Sequence, residues 1–375
     1  MISLNNNLSP LERSGIRRYT NLAKATPGCI LLTIGEPDFP TPQPIKDAAY
    51  QALQEDQTHY APNQGLPELR DAIAQKETRR GFPCTGEQIL ITAGATGALF
   101  TALLGILNPG DEVVIPTPAF SLYETIVTIS GATPVRLDTT KTHFQLTREA
   151  LDRVITPKTK AIVLTSPNNP TGVVYSRESL DAVKSAVLGK PIYVVCDNVY
   201  QQLAWEDCPD LSLDEDLRSQ ILLCQSFSKP YAMTGWRIGY LAGPGDAMQR
   251  LLLLHAAEVA AIPTFLQTAC LTALETDTAF FTETYCRRVT YACRRLTEMG
   301  LPAAAPGGAF YCFADIRHFG LDSDTFCTRM IREAGVAAVP GCCFGTDGFI
   351  RISCACADET LKEGLDRLQA FLQTL

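Results

Sequence analysis

Lys229 lies in the run C-Q-S-F-S-K-P-Y-A-M-T-G-W-R-I-G-Y, with a hydroxyl, Ser226, shortly before it and a second cation, Arg237, shortly after. A lysine held among other cations has a depressed pKa and a usable fraction of free amine, which suits Schiff-base chemistry, while an arginine fork suits phosphate. A lone loop lysine is ordinarily a solvated charge; the convergence of two cations and a hydroxyl argues against that here. Asp197 ends the apolar run in P-I-Y-V-V-C-D-N-V-Y, with Tyr200 just beyond. A carboxylate there can neutralise a cationic ring nitrogen, bind a metal or cap the next segment, and a phenol can donate to a nearby oxygen. In I-L-I-T-A-G-A-T-G-A-L-F, small residues at Ala95 and Thr96 open a helix that is predicted to begin there. Exposed amides at a helix start attract anions, so this is a candidate phosphate site, or else a glycine turn with a threonine cap. In T-S-P-N-N-P-T-G, Pro167 and Pro170 stiffen a loop and are expected to fix the amides of Asn168 and Asn169.

These groups need a scaffold. Apolar, β-rich runs occur at Ile89 to Thr92, Glu112 to Ile115, Thr133 to Leu137, Ala161 to Thr165, Ile192 to Cys196, Ile221 to Gln225 and Arg237 to Leu241, with helical patterns between them. Continuous apolar strands separated by helices predict an α/β fold whose mainly parallel seven-stranded sheet is covered on both faces, with ligands beyond the carboxyl ends of its strands. After Gly245 the pattern is long and helical to about Met299, and Leu251 to Ile262 reads as a buried helix. A strand-like run in G-G-A-F-Y-C-F-A-D-I, a final strand from Gly348 to Cys354 and a terminal helix from Asp358, with Leu361, Leu365, Leu368 and Leu372 on one face, complete a smaller α+β part. The segment Glu36 to Pro44 is too proline-rich for a helix and reads as a connection laid over a surface or site.

The chain has 375 residues, 46% hydrophobic and 19% charged, with a net charge of −8. That composition is globular, the length suggests two domains, and no run is long enough to cross a membrane. An acidic balance without a basic cluster argues against nucleic acid or anionic membrane as a partner. The opening residues lack an export pattern, so a cytoplasmic location is expected. The fourteen cysteines are scattered, and neither Cys342 with Cys343 nor Cys354 with Cys356 has the spacing of a zinc or redox motif. Most read as small hydrophobes, and no metal site is expected.

The four segments, in this order, resemble the fold-type I pyridoxal-phosphate (PLP) aminotransferases of the aspartate aminotransferase superfamily. S-G-I-R-R-Y, T-I-G-E-P-D-F-P-T-P, Y-A-P-N-Q-G-L-P-E-L-R, P-G-G-A-F-Y, V-P-G-C-C-F-G and G-F-I-R-I-S extend the likeness over nearly the whole chain. The resemblance implies a PLP-dependent transferase fold with a large cofactor-binding domain over 41–262, and a small domain made of 1–40 and 263–375. It implies that Lys229 forms the Schiff base with pyridoxal 5′-phosphate and shuttles a proton between the substrate α-carbon and the cofactor C4′. Asp197 would pair with the pyridinium nitrogen, and Asn169 and Tyr200 would bond the phenolic oxygen. Ala95, Thr96, Ser226 and Arg237 would hold the phosphate, with Phe120 stacked on the ring. Arg351 would take the substrate α-carboxylate, assisted by Asn169 and the backbone near Gly35. Tyr60 would reach the phosphate of a neighbouring subunit, which implies a homodimer with shared sites.

The implied activity is transfer of an amino group from an L-amino acid to a 2-oxo acid, 2-oxoglutarate by expectation, in a ping-pong cycle. S-G-I-R-R-Y-T-N-L, M-T-G-W-R-I-G and A-C-A-D-E-T-L-K-E-G-L-D-R-L are most similar to the N-acetyl-diaminopimelate aminotransferase branch of lysine biosynthesis; aspartate and aromatic amino acids are the other donors in view. Two departures stand out: Asn198 follows Asp197 where many relatives have Glu, and Ala260, Ala261 and Ile262 precede Pro263 where polar residues are frequent. No second arginine for a side-chain carboxylate is evident. A carbon-sulfur β-lyase on the same fold is the nearest alternative, since it would use the same Lys229 and Asp197. A ligand-sensing regulator would need a basic helix-turn-helix, and a nicotinamide dehydrogenase a G-x-G-x-x-G after a strand; neither pattern is found.

Overall fold

A computed structural model describes residues 4–11 and 15–375. Ser14 of S-G-I-R-R-Y and the opening M-I-S lie outside the described residues. The chain begins with α1 (Gly15–Ala25), a short strand β1 (Ile30–Leu31), α2 (Gln43–Gln54) and α3 (Pro67–Arg80). The central run alternates strands and helices: β2 (Ile89–Thr92), α4 (Gly94–Ile106), β3 (Glu112–Thr117), α5 (Leu122–Ile129), β4 (Thr133–Asp138), α6 (Arg148–Val154), β5 (Thr159–Thr165), α7 (Arg177–Val187), β6 (Tyr193–Asp197), β7 (Ile221–Ser226) and β8 (Gly239–Ala242). These strands form one seven-stranded sheet in the order β2-β8-β7-β6-β5-β3-β4. All pairs are parallel except those of β8, which runs antiparallel to both β2 and β7.

The continuous apolar runs have a direct cause. Along β5, Ile162 and Leu164 enter one core while Val163 enters the other, and Val195 opposes Val194 and Cys196 in β6 in the same way. Helices cover both faces, so nearly all side chains of β5 and β6 leave water, with only Lys160 and Tyr193 partly exposed. Cys196 and Cys224 act as small hydrophobes on opposite faces.

Three helices follow, α8 (Gly245–Val259), α9 (Thr264–Glu275) and α10 (Ala279–Glu298), then β9 (Tyr311–Asp315), α11 (Ser323–Ala334), β10 (Val336–Ala337), β11 (Val339–Pro340), β12 (Phe349–Ser353) and α12 (Asp358–Leu372). Strand β12 is central in a three-stranded antiparallel sheet, and β1 pairs with β10. A separate core joins Tyr19 and Ala23 of α1 to α10, α11, α12 and these strands.

Several expectations change. The apolar stretch from Leu251 is not a buried helix: α8 ends at Val259, and only Met248, Leu251 and His255 are buried while Leu253 is 64% exposed. Only one stripe of α8 packs on its neighbours, so apolar composition overstated its burial. The expected strand at Arg237 starts at Gly239 instead, because Arg237 has φ +52° in a tight turn. Helix α2 begins at Gln43, so Gln43 and Pro44 leave the proline-rich connection; proline is tolerated in a first turn, where the missing N–H is not needed. On α12, Phe371 is buried and Leu372 only partly so.

Candidate active site

The carboxyl ends of β5, β6 and β7 lie side by side, with Thr165 paired to Asp197 and Asp197 to Cys224. Because β8 runs the other way, its first residue, Gly239, meets both Ser226 at the end of β7 and Thr92 at the end of β2. A β-carbon on Gly239 would lie 2.5 Å from the Gln225 carbonyl oxygen, so the residue must be glycine for these ends to close up. The loops that leave this edge surround a cavity of about 270 Å³.

Asp197 lies in this cavity and is 4% exposed. Its Oδ2 accepts a 2.6 Å hydrogen bond from the Tyr123 hydroxyl, and its Oδ1 is buried with no partner among the described residues. Burial raises its pKa to about 6, against the opposing pull of Tyr123, the Val199 amide and Lys229. Lys229 Nζ donates to the Gly35 carbonyl at 2.5 Å. Its pKa is lowered to about 8, first by burial and then by Arg351 and Arg237, with Glu36 and Asp197 working the other way. The depressed amine was expected from neighbouring cations; loss of water is the larger cause.

Arg237 reaches back to α4. A β-carbon on Gly94, whose φ is +66°, would lie 2.8 Å from Arg237 Nη2, so the guanidinium sits against the opening of that helix. The helix starts at Gly94, one residue before the expected position, and Ala95 and Thr96 line the cavity beside Ser226 and Arg237. Arg237 donates to the Thr234 carbonyl at 2.9 Å and has no carboxylate partner among the described residues. Phe120 lines the same space, edge-on to Tyr123.

Arg351, in the middle of β12, is 2% exposed. Nη1 donates to Asn169 Oδ1 at 2.8 Å and Nη2 to the Thr33 carbonyl at 2.9 Å, while Nε has no partner among the described residues. The guanidinium carbon lies 4.4 Å from the Tyr311 ring centroid and 4.9 Å from that of Phe344. The Asn168 amide is used inside the loop, on the Val173 carbonyl, and it is the Asn169 side chain that meets Arg351. The connection before α2 does cross the site: Gly35 contacts Lys229, Glu36 accepts from Thr234, and Thr41 donates to the Ala232 carbonyl.

Gly35, Ala95, Thr96, Phe120, Asn169, Asp197, Tyr200, Ser226, Lys229, Arg237 and Arg351 therefore all line one cavity. Tyr60 does not; it is 92% exposed, on a separate surface recess with His59 and Pro263. Two residues were overlooked, Tyr123 and Tyr311, although Tyr311 closes the quoted motif P-G-G-A-F-Y and Tyr123 lies three residues after Phe120. No group of metal-ligating side chains is found among the described residues.

The described donor set fits pyridoxal 5′-phosphate: a buried amine, an unpartnered carboxylate oxygen, and a cation at a helix start. Residues 27–368 match the family model for aminotransferase class I and II. The chain is 41% identical to a probable N-acetyl-LL-diaminopimelate aminotransferase of Bacillus subtilis, with 98% of this chain and 95% of that one covered. It is 36% identical to aromatic-amino-acid aminotransferase 2 of Thermococcus litoralis, over 99% of both chains. Among solved structures, aspartate aminotransferase from Thermus thermophilus with maleate superposes with a TM-score of 0.94 at 35% identity, over 99% of this chain and 100% of the other.

Proposed function

The chain belongs to the class I and II aminotransferases and uses pyridoxal 5′-phosphate, and on that premise we propose how its residues divide the work and which donor it takes. The carrying observation is that Lys229, the unpartnered Oδ1 of Asp197 and the unpartnered Nε of Arg351 belong to one cavity.

Bound pyridoxal 5′-phosphate supplies an electron-accepting ring conjugated to the linkage that carries the amino group. Asp197 holds the proton on the ring nitrogen, since a carboxylate desolvated to this degree gains most by meeting a cation. Arg237, Ser226, Thr96 and the first amides of α4 bind the phosphate, with Ala95 small enough to let those amides approach it. Phe120 covers the ring face, and Asn169 and Tyr200 bond the phenolic oxygen. Lys229 would hold the cofactor, and its free amine would move a proton between the donor α-carbon and C4′. A pKa near 8 lets the same group accept and return that proton close to neutral pH. Arg351 binds the donor α-carboxylate, and the Gly35 backbone lies beside it.

The donor is an L-amino acid with a long side chain, N-acetyl-LL-diaminopimelate or one like it, and the acceptor a 2-oxo acid, 2-oxoglutarate in the first instance. Among the described residues, no cationic side chain other than Lys229, Arg237 and Arg351 lines the cavity, which leaves a short side-chain carboxylate without a partner. A wider cleft of about 890 Å³ shares Ile16, Phe120 and Leu122 with the cavity and includes Arg17, giving a long side chain room to continue. A donor panel with 2-oxoglutarate tests this. Strong turnover of N-acetyl-LL-diaminopimelate is expected, and a preference for aspartate or aromatic donors overturns it; pyruvate release from cystathionine without an acceptor would mark a β-lyase.

We further propose a cytoplasmic homodimer in which Tyr60 of each subunit serves its neighbour's phosphate site, consistent with the exposure of Tyr60 in the single chain. We propose a division into a large and a small domain with one bound corrected: α9 (Thr264–Glu275), expected in the small part over 263–375, goes to the large one because Ala269, Cys270 and Ala273 pack in the core beneath the seven-stranded sheet.

A further inference from the structure

Tyr311 holds no part of the cofactor or the donor in that division of work, yet it touches both halves of the cavity. Its hydroxyl lies 2.8 Å from that of Tyr200, and its ring lies under the Arg351 guanidinium. It is 1% exposed, and its ring is packed edge-on to Tyr200 and against Phe310. A β-carbon on Gly35 would come within 2.8 Å of the same hydroxyl, which ties that glycine to the presence of Tyr311.

We propose that Tyr311 is a positioning residue whose hydroxyl donates to the Tyr200 oxygen, leaving the Tyr200 proton free for the phenolic oxygen of the cofactor, while its ring face steadies Arg351. The proposal rests on Tyr200 bonding that phenolic oxygen. Burial keeps both phenols protonated, so the pair holds two O–H groups and one short contact between them. If Tyr200 donated to Tyr311, its only proton would be consumed within the pair. In the opposite sense each proton has a use, and an oxygen that accepts a hydrogen bond becomes a stronger donor through its own proton. Tyr311 thereby links the cofactor side of the cavity to the carboxylate side.

The test is the pH titration of the visible absorbance of the holoenzyme. A donor on the phenolic oxygen favours the form in which that oxygen carries the negative charge and the lysine linkage is unprotonated. Weakening the donor therefore raises the midpoint. Tyr311→Phe keeps the ring under Arg351 and removes only the hydroxyl, while Arg351, Asp197 and Lys229, the charged groups facing Tyr200, stay in place. The midpoint is expected to rise by roughly half to one pH unit, the equivalent of part of one hydrogen bond, with the donor KM changed less than about twofold. An unchanged midpoint overturns the proposal. In a Tyr200→Phe background the same change should add nothing; a full additional shift would mean that Tyr311 does not act through Tyr200. If Tyr311→Phe does not fold, 3-fluorotyrosine at position 311, a stronger donor of the same shape, should lower the midpoint, and no movement counts against the idea. A wild-type protein with no visible band after loading would instead refute the cofactor assignments on which Tyr200 depends.

Discussion

Replacing Tyr123 with Phe removes one oxygen from the protein and should change the pH range over which it holds its cofactor. The Tyr123 hydroxyl donates to Asp197 Oδ2 at 2.6 Å, both groups are buried, and burial already raises the Asp197 pKa to about 6. At that value about nine-tenths of Asp197 is ionised at pH 7. A hydrogen bond to a charged group contributes about 1.5–3 kcal/mol, and one pKa unit corresponds to about 1.4 kcal/mol, so Tyr123→Phe should move the carboxyl up by roughly one to two units. The ionised fraction at pH 7 then falls to between about a half and a tenth. Only the ionised carboxylate can pair with a protonated ring nitrogen. Affinity of the apoprotein for pyridoxal 5′-phosphate should therefore drop about two- to tenfold at pH 7 and recover almost fully by pH 9. Titrating apoprotein with cofactor by absorbance between pH 5.5 and 9 measures this. The ratio of variant to wild-type affinity cancels the titrations of the phosphate and of Lys229, which the two proteins share. A ratio that stays flat with pH, or no difference at all, would refute the argument that Tyr123 keeps Asp197 charged.

Three further outcomes are expected from the same cavity. The rate at which apoprotein captures pyridoxal 5′-phosphate should climb with pH around a midpoint near 8, because only the neutral Lys229 amine reacts and burial lowers its pKa; stopped-flow absorbance reads it, and a midpoint at the ordinary lysine value contradicts the burial argument. Gly94→Ala would place a β-carbon 2.8 Å from Arg237 Nη2 in a backbone with φ +66°, so cofactor retention on dialysis should weaken by roughly ten- to a hundredfold, the scale of one lost charged hydrogen bond, and unimpaired retention removes Arg237 from the phosphate site. Arg351→Lys keeps the charge but loses the planar fork, so kcat/KM for the amino donor should fall at least about tenfold while the cofactor Kd stays the same; a loss confined to the cofactor would reassign the residue.

The parts of the site that sequence makes visible are those that end a strand. Asp197 and Ser226 follow continuous apolar runs, and such runs mark strands covered on both faces, whose carboxyl ends form the ligand edge of an α/β sheet. Position along the chain is enough to find them. Their partners are not visible in this way. Tyr123 is 74 residues from Asp197, and Thr33 is 318 residues from Arg351. Which side chain completes a buried carboxylate or guanidinium depends on how helices pack across the sheet, and local pattern carries no record of that. The same limit explains α8. An apolar stretch looks the same whether one stripe or the whole circumference is buried, and with Leu253 exposed the burial here is one-sided.

The amine of Lys229 is depressed as its neighbouring cations led us to expect, but its leading cause is different, and the difference is measurable. If those cations set its pKa, removing Arg237 would return the amine toward an ordinary lysine. Burial is instead the larger effect, and Glu36 and Asp197 partly oppose the two arginines. Arg237→Ala should then weaken phosphate binding while leaving the midpoint of cofactor capture close to 8. A midpoint that moves well toward the ordinary lysine value in this variant would restore the cations as the main cause. On the proposed assignments, phosphate grip and amine reactivity should be separable in this cavity, because one would depend on a partly solvated guanidinium at the start of α4 and the other on the exclusion of water beneath Gly35.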